Sequence, residues 1–197
     1  RIGTVGKALP GCELEINNPD ENGIGEVMVK GPIVMKGYFH NDAATAEVIK
    51  DGWLHTGDLG KLDSEGYLTL TGRKKSLIVN REGKNIYPEE VELAIKDSEY
   101  ILESIVIGYS LNGETGERVG VIVVPNLDRI EEDRKSKGQS MSDEDIIALC
   151  KNEVHRTVKA IAEYKRPRRI QIRFEPLEKT TTQKVKRYLY NLDNSGE

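Results

Sequence analysis

The sequence predicts an α+β fold in two parts, a β-rich piece over residues 1–72 followed by a small domain with a three-stranded sheet and helices. Two observations predict this class. In the first part, short apolar alternations are separated by Gly and Pro, which is typical of antiparallel strands. In the second part, apolar residues recur with helical spacing between three further strand-like runs. The pattern changes near Ser76.

The first part contains three predicted strands and one short helix. The helix begins near Asn41 or Asp42, which are good N-terminal capping residues. This part has no helix long enough to form a layer of its own, so we expect its core to be shared with structure outside the sequence. The predicted strands are Cys12–Ile16, Gly25–Gly31 and Gly66–Gly72.

The second part begins with a helix that starts at Pro88, a residue favoured at the first helical position. Two strands follow, joined by a polar turn around Asn112, Gly113 and Gly116. A later helix is predicted to start at Ser142 with Asp145, and Thr182 to cap a last helix. The charged run 131–145 is predicted to be a solvated loop or an exposed helix. The predicted strands are Ile101–Gly108, Arg118–Pro125 and the alternation of Ile170, Ile172 and Phe174. The predicted buried helical positions are Val91, Ala94, Ile95, Ser98, Ile147, Cys150, Val154, Val158 and Ile161.

The stretch from Asp51 to Pro88 combines three features that suit a nucleotide held beside a moving joint. Thr56, Gly57 and Asp58 bring a carboxylate close to accessible backbone, and such a carboxylate can accept both hydrogen bonds of a ribose diol. The cationic segment 72–75 follows a strand, and Gly83 relaxes the turn of a hairpin over residues 77–86. Taken alone, the first motif could equally be a turn with a helix cap, and the second a solvated charge run.

The ordered series of these motifs resembles the late motifs of the adenylate-forming superfamily. The series is GWLHTGDLG, DSEGYLTLTGRKK, LIV and GKNIYPEEVE, with GTVGKALPG and GEVMVKGPIVMKGY before it and YKRP and KTTTQKVKR after it. The superfamily comprises acyl-CoA synthetases, peptide-synthetase adenylation domains and luciferases. The segment GKNIYPEEVE is most similar to that of long-chain acyl-CoA ligases. The resemblance covers nearly the whole chain.

The resemblance implies roles for residues in the central stretch. It implies that Asp58 holds the ribose hydroxyls of ATP, and that Arg73 touches ribose or phosphate with the forked donors of a guanidinium. It further implies that a C-terminal domain over residues 77–197 rotates about Lys75, within a hinge at 73–76. Many relatives have Asp where this chain has Ser76. The same resemblance places Gly83 along the tunnel for the pantetheine arm of CoA, although a hairpin glycine with positive φ would explain it equally.

The resemblance also implies that Lys184 is the catalytic lysine of a threonine-rich loop, which is typically TxTGK. A cation there offsets charge that develops on the α-phosphate during adenylation. Here Gln183 replaces the usual glycine, and Glu178 stands where a proline often does, so we expect a stiffer loop. Lys179 and Lys186 are neighbouring cations without that role.

The implied activity is that of an AMP-forming fatty acid CoA ligase using ATP, Mg²⁺ and CoA. The phosphate loop and acyl pocket of the family have no counterpart in the sequence, so we expect a C-terminal fragment that is inactive alone. One alternative within the family delivers the acyl group to a carrier protein, as acyl-ACP synthetases and peptide-synthetase adenylation domains do. An alternative of another class is a non-enzymatic module for protein contact.

Composition narrows these expectations. The net charge is −4, yet from residue 151 onward twelve Lys or Arg stand against six Asp or Glu. Because this basic end shows no helix pattern typical of groove-reading proteins, phosphates of a small nucleotide or of CoA are favoured over nucleic acid. No apolar run reaches membrane-spanning length, which leaves peripheral membrane contact open. Cys12 and Cys150 are far apart, as in a reducing, cytoplasmic compartment. No metal site is predicted, and His40, His55 and His155 show no ligand or acid/base pattern.

Overall fold

The structure, a computed structural model, describes residues 1–111, 114–137 and 141–192. The chain forms two compact units, Arg1–Ser76 and Leu77–Glu197. The predicted turn residues Asn112 and Gly113 lie outside the described residues, as do residues 138–140 of the predicted charged run and residues 193–197 of the predicted second domain. Each unit combines strands and helices, and the predicted α+β class is confirmed.

The first unit is built on a five-stranded antiparallel sheet. Strand β4 lies at its centre, with β2 along one edge and β3 and β5 sharing the other. Helix α1 begins at Asn41, whose side-chain oxygen accepts the Ala44 N–H at 3.0 Å, as the capping pattern predicts. The elements are β1 (Glu13–Asn17), β2 (Gly25–Lys30), α1 (Asp42–Val48), β3 (Ile49–Lys50), β4 (Trp53–Leu62) and β5 (Leu68–Arg73).

Strand β4 was not predicted, although it is the longest strand of the unit. Its sequence contains Gly57, Asp58 and Gly60, which are poor strand formers, and it shows no apolar alternation. Pairing with neighbours on both edges outweighs this weak local preference, because strand propensity depends strongly on the surrounding sheet.

The second unit carries a three-stranded sheet, as predicted, and its strand order is β10-β9-β8. Strands β8 and β9 are antiparallel, whereas β10 runs parallel to β9. A parallel pair needs a long crossover, and helices α3 and α4 supply it. The elements are β6 (Ile78–Val79), β7 (Asn85–Ile86), α2 (Pro88–Ile95), β8 (Ile101–Tyr109), β9 (Arg118–Pro125), α3 (Leu127–Lys137), α4 (Asp143–Thr157) and β10 (Arg169–Ile172).

Helices α2 and α4 pack against one face of this sheet. Their contact positions include Val91 and Ile95 from α2 and Cys150 and Val154 from α4, all fully buried. Burial raises the pKa of the Cys150 thiol to about 11. Ile146, rather than the predicted Ile147, packs against this cluster, because it precedes Cys150 by one helical turn.

The segment over residues 173–192 covers the opposite face of the sheet. Leu177 and Leu192 are buried there against side chains of β8 and β9, and Val185 and Tyr190 pack beside them. The segment is held by turns and isolated contacts rather than by a helix. Its most regular piece after residue 172 is a short 3₁₀ turn over Arg187–Leu189.

Two sequence predictions for this segment were wrong. The last strand ends at Ile172, and Phe174 lies beyond it with 37% exposure, because the alternation continues into a turn that has no strand partner. The predicted last helix does not form. Thr182 caps nothing and instead hydrogen-bonds to the Thr180 hydroxyl at 3.0 Å, within a tight turn.

Candidate functional site

The predicted motif Thr56–Asp58 forms a bulge in β4. These three residues stand opposite the single residue Val27 of β2. Gly57 has a φ of 71°, a left-handed conformation that glycine adopts without steric cost. The Thr56 hydroxyl donates to the Val27 carbonyl at 2.8 Å and accepts the Asp58 N–H at 3.0 Å. The alternative of a turn with a helix cap is therefore wrong, and the bulge re-aims Asp58 as bulges beside functional sites do.

Asp58 and Arg73 lie directly opposite each other on β4 and β5. The Arg73 Nε atom is 2.8 Å from Asp58 Oδ1, and the two side chains are 55% and 30% exposed. An exposed pair of this kind contributes at most about 1 kcal/mol to stability. A carboxylate has two acceptor oxygens, so Asp58 can bind a diol while it remains beside a guanidinium. The structure thus brings two predicted nucleotide-binding residues into contact.

Glu26, to which no sequence motif gave a role, anchors the segment after β5. Lys74 and Lys75 lie in a 3₁₀ turn, Lys74–Ser76. The Lys74 ammonium is 3.0 Å from the buried Glu26 carboxylate, and His55 Nδ1 is 3.2 Å from the same oxygen. Burial alone would raise the pKa of Glu26, but Lys74 and His55 outweigh it and hold that pKa below its usual value. Lys75 is exposed and has no ion pair within residues 1–111 or the later described ranges.

Gly83 lies in the hairpin of β6 and β7, as predicted. Its N–H donates to the Asn80 carbonyl at 2.9 Å, and the Asn80 N–H donates to the Lys84 carbonyl at 3.1 Å. The Asn80 side chain accepts two further backbone N–H groups, from Glu82 and Lys84. Gly83 has a φ of 75°, and a Cβ atom there would meet nothing within 4 Å. The backbone conformation alone therefore favours glycine, and the open space leaves room for a thin ligand.

Lys184 ends a five-residue turn of the same form. The Gln183 N–H donates to the Thr180 carbonyl at 2.9 Å, and the Thr180 N–H donates to the Lys184 carbonyl at 2.8 Å. Gln183 has a φ of 62°, so it adopts the left-handed conformation that the family's glycine would take. The loop therefore keeps the left-handed backbone conformation at residue 183, although glutamine stands there instead of glycine.

The three lysines of this loop differ in their partners. Lys179 pairs with Glu103, and the Lys186 ammonium is 3.4 Å from the Glu178 carboxylate. Lys184 is exposed, and its ammonium has no ion pair or hydrogen bond to any described part of the chain. Within this loop, only Lys184 therefore presents an uncommitted cation, which is the distinction that the sequence motif implied.

A cleft of about 400 Å³, lined by four arginines and three glutamates, lies beside the Gly83 hairpin within the second unit. Arg118 is paired with Glu114 at 2.7 Å, and Arg166 donates to backbone carbonyls. Arg81, on the hairpin itself, has no partner among the residues that the structure describes. Tyr164 and Arg166 belong to the YKRP motif, which implied no role for either residue. The cations and ring that line the cleft are Arg81, Arg118, Tyr164, Arg166 and Arg168.

The described ranges contain neither a cluster of metal-ligating side chains nor a helix that could span a membrane. No group of three or more His, Cys, Asp or Glu side chains within residues 1–111, 114–137 and 141–192 has the arrangement of a metal site. Across the same ranges, no helix has both the length and the apolar character needed to cross a membrane. Of the three histidines, His55 has a carboxylate neighbour in Glu26, which the sequence pattern did not reveal.

Comparison with characterised sequences identifies relatives of this chain. No protein-family model matches it. It is 33% identical over 190 residues to a long-chain-fatty-acid–CoA ligase of Salmonella typhimurium, covering 94% of this chain and 30% of the relative. It is 43% identical over 130 residues to an indoleacetate–CoA ligase of Aromatoleum aromaticum, covering 64% and 25%. A 2-succinylbenzoate–CoA ligase of Bacillus cytotoxicus is 36% identical over 174 residues, covering 86% and 32%. The chain thus spans about a third or less of the length of these relatives.

Solved structures give the same result. The o-succinylbenzoate CoA synthetase of Bacillus subtilis, in complex with its acyl-adenylate intermediate, matches all of this chain and 37% of its own, with a TM-score of 0.72 and 31% identity. ATP-bound MatB from Rhodopseudomonas palustris matches 95% of this chain and 35% of its own, with a TM-score of 0.68 and 30% identity. In sequence and in fold, the chain belongs to the adenylate-forming family of acyl-CoA ligases.

Proposed function

We propose that this chain is the C-terminal part of an ATP-dependent ligase that joins a carboxylic acid to CoA. In the first half-reaction, a carboxylate oxygen attacks the α-phosphorus of ATP and pyrophosphate leaves. In the second, the CoA thiol gives up its proton, its sulfur attacks the acyl carbonyl, and AMP leaves. We also propose that the protein acts in the cytoplasm, in keeping with its two free cysteines.

The observation that carries this proposal is the state of Lys184. It ends a turn held by three hydrogen bonds to Thr180, and it is the cation of its loop that no carboxylate neutralises. A preformed turn with a free ammonium suits a role in which charge must be offset as it develops on a phosphoryl group. We propose that Lys184 serves the first half-reaction. Mg²⁺ accompanies the ATP phosphates in this scheme, and no residue of the chain is assigned to bind it.

The Asp58–Arg73 pair is proposed to hold the nucleotide ribose in both half-reactions. The carboxylate fits the two hydroxyls of the diol as an acceptor of both hydrogen bonds. The adjacent guanidinium donates to ribose or phosphate oxygens. The bulge at Thr56–Asp58 supports this role, because its own hydrogen bonds fix the backbone that carries the Asp58 carboxylate before the ligand arrives.

For the second half-reaction, we propose that the unit after the 73–76 hinge rotates about Lys75, withdraws Lys184 and brings up the Gly83 hairpin. The cleft beside that hairpin supports CoA as the acceptor, because Arg81 on its wall has no partner among the described residues and a guanidinium can bind a phosphate. A carrier protein is the alternative acceptor. Turnover with CoA measured against turnover with a phosphopantetheine carrier separates the two.

We propose a fatty acid as the carboxylate, on the strength of the GKNIYPEEVE motif. The relatives described above are named for fatty acids, indoleacetate and succinylbenzoate, so the test must span these classes. Competition among a long-chain fatty acid, an arylacetate and succinylbenzoate for the complete ligase would decide the class. Preference for either aromatic acid would overturn the fatty acid assignment while leaving the ligase proposal in place.

The proposed role of Lys184 is tested by measuring each half-reaction separately in the complete ligase. Lys184→Ala is expected to slow adenylate formation by about 10²-fold or more, and to affect transfer from preformed acyl-adenylate much less. Lys186→Ala is the matched control, because it removes a lysine that is already paired with Glu178. Equal loss in both half-reactions for Lys184→Ala would contradict the assignment.

The chain alone is expected to lack adenylation activity, because the resemblance places the phosphate loop and acyl pocket outside it. The measurement is pyrophosphate release by the purified 197-residue chain from ATP and a fatty acid. Release above the rate of a Lys184→Ala control would overturn this expectation.

A further inference from the structure

The base of the Lys184 loop is held by one carboxylate on β8. Glu103 lies at a bulge where the pairing of β8 with β9 shifts register, and its side chain is only 14% exposed. One of its oxygens accepts the Leu177 N–H at 2.8 Å, and the other pairs with the Lys179 ammonium. Glu103 therefore fixes both the backbone and a side chain of the segment that leads into the loop.

The loop needs such external support because its own turn is poorly specified. Gln183 occupies a left-handed conformation that side chains disfavour. The Thr180 hydroxyl accepts one backbone N–H, from Lys184 at 3.2 Å. In the Gly83 hairpin, the equivalent Asn80 side chain accepts two, at 3.0 and 2.8 Å. The chemistry of residues 180–184 thus favours this turn less than that of residues 80–84.

The far end of the loop is held to the same sheet. The Arg187 guanidinium is 2.9 Å from Glu92 on α2 and also donates to the Val106 carbonyl on β8. The Val106 N–H in turn donates to Glu92 at 2.8 Å. The loop is therefore anchored on both sides of Lys184, and Glu103 is the anchor on the side of the strained turn.

Glu103 has a second effect, on charge. By pairing with Lys179 it neutralises a cation five residues before Lys184. Without it, Lys179 would become a second free ammonium on the same loop and would compete for an anionic ligand. A single carboxylate thus both shapes the loop and leaves Lys184 as its one uncommitted cation among the described residues.

We propose that Glu103 is a positioning residue for adenylate formation, which holds the Lys184 loop in its working conformation in place of the missing glycine. This inference rests on the function proposed above for Lys184. It concerns the first half-reaction only, because Lys184 is withdrawn before the second.

The test uses Glu103→Gln in the complete ligase, a change that keeps the side-chain shape and removes the charge. Adenylate formation is expected to slow about tenfold, with transfer from preformed acyl-adenylate changed less than twofold. Gln183→Gly in the same background is expected to restore most of the lost rate, because glycine removes the need for external support. Glu131→Gln, which breaks exposed pairs with Arg134 and Lys135 on helix α3, is the matched control and should change neither half-reaction.

A second measurement follows the loop itself in the 197-residue chain. Hydrogen exchange of the Thr180 and Lys184 amides is expected to speed up in Glu103→Gln, while amides of β8 and β9 keep their protection. Lys179→Met should reproduce this change, which guards against a specific folding defect of the Glu103 variant. If exchange rises throughout the second unit, or if Gln183→Gly restores nothing, Glu103 is merely structural and the proposal fails.

Parallel assays of Lys184→Ala separate this proposal from the one on which it rests. If Lys184→Ala leaves adenylate formation intact, the proposed function of the loop is wrong. If Lys184→Ala slows that step and Glu103→Gln does not, the function stands and the positioning role of Glu103 is overturned.

Discussion

The turns at residues 80–84 and 180–184 have the same backbone geometry but different sequences. Each closes through two hydrogen bonds between its first residue and its fourth and fifth residues, and each has a left-handed fourth residue. The first uses Asn and Gly at the key positions, whereas the second uses Thr and Gln. Two other turns, at residues 20–24 and 63–67, follow the same pattern with Asp and Gly. Only the turn that ends in Lys184 departs from the favoured residues, among the four.

This difference distinguishes the stability that a turn gains from its own residues from the stability that its surroundings supply. A left-handed residue with a side chain costs about 1–2 kcal/mol relative to glycine. The turn at 80–84 forms through its own residues, and glycine there carries no such cost. On our proposal, the turn at 180–184 persists because Glu103 ties one flank to β8 and Arg187 ties the other flank to β8 and α2. The predictions below test this contrast.

Among the variants that test this contrast, Gly83→Leu in the complete ligase is expected to have the largest effect. Leucine adds backbone strain at a φ of 75° and places bulk where the pantetheine arm is proposed to pass. Transfer from acyl-adenylate to CoA should slow by about tenfold or more, with adenylate formation much less affected. Gly83→Ala supplies the strain without the bulk and should spare most of the transfer rate. Single-turnover kinetics of each half-reaction would show this, and equal slowing by Ala and Leu would assign Gly83 a purely conformational role.

A smaller effect is expected from Lys75→Pro. This variant tests whether rotation about Lys75 exchanges the Lys184 turn, which serves the first half-reaction, for the Gly83 hairpin, which serves the second. Proline fixes φ near −65° and restricts Lys74 as well, so exchange between the two proposed arrangements should slow. Transfer in the complete ligase should fall several-fold, and more than adenylate formation. Lys75→Ala keeps backbone freedom and is the control. Similar rates for the Pro and Ala variants would argue against a hinge at this residue.

The contrast in turn chemistry is measured directly by Gln183→Gly. Relief of the left-handed side chain, partly offset by the greater freedom of glycine in the unfolded chain, should raise the free energy of unfolding of the second unit by about 0.5–1 kcal/mol. Gln183→Ala keeps the unfavourable conformation and should not stabilise. Denaturant unfolding of the 197-residue chain would show the difference. A destabilised glycine variant would mean that the Gln183 side chain has a favourable role of its own.

The smallest effect concerns Glu26, which anchors Lys74 as Glu103 anchors Lys179. Its pKa is lower in the folded protein, so the folded state favours the carboxylate. This stability is present above the ordinary pKa of glutamate, near 4.5, and is lost as pH falls through the lower folded value. In wild type, unfolding of the first unit should therefore become easier below that pH. Glu26→Gln should flatten this part of the pH profile, and an unchanged profile would assign the acid sensitivity to other groups.

The sequence predicted those parts of the fold that depend on local pattern. The helix at Pro88, the Gly83 hairpin and the three strands of the second unit follow from capping, turn and periodicity rules. The contacts that organise the sites did not follow from such rules. Glu26 reaches Lys74 across 48 residues, and Glu103 reaches Lys179 across 76, so no local period connects them. The left-handed Gln183 was equally hidden, since only the surrounding anchors make it acceptable.

The alkylation rates of the two cysteines report separately on the two units. Cys150 is fully buried, and with a pKa of about 11 its thiol is about one part in a thousand thiolate at pH 8. An alkylating reagent can modify it at an appreciable rate only when the second unit opens, so its labelling rate measures that opening in the native chain. Cys12 belongs to the first unit and is partly exposed, so it should react without any such delay. Mass spectrometry of a labelling time course would therefore show prompt modification of Cys12 and slow modification of Cys150. Variants such as Gln183→Gly should change the Cys150 rate, which makes their effect on opening measurable without denaturant.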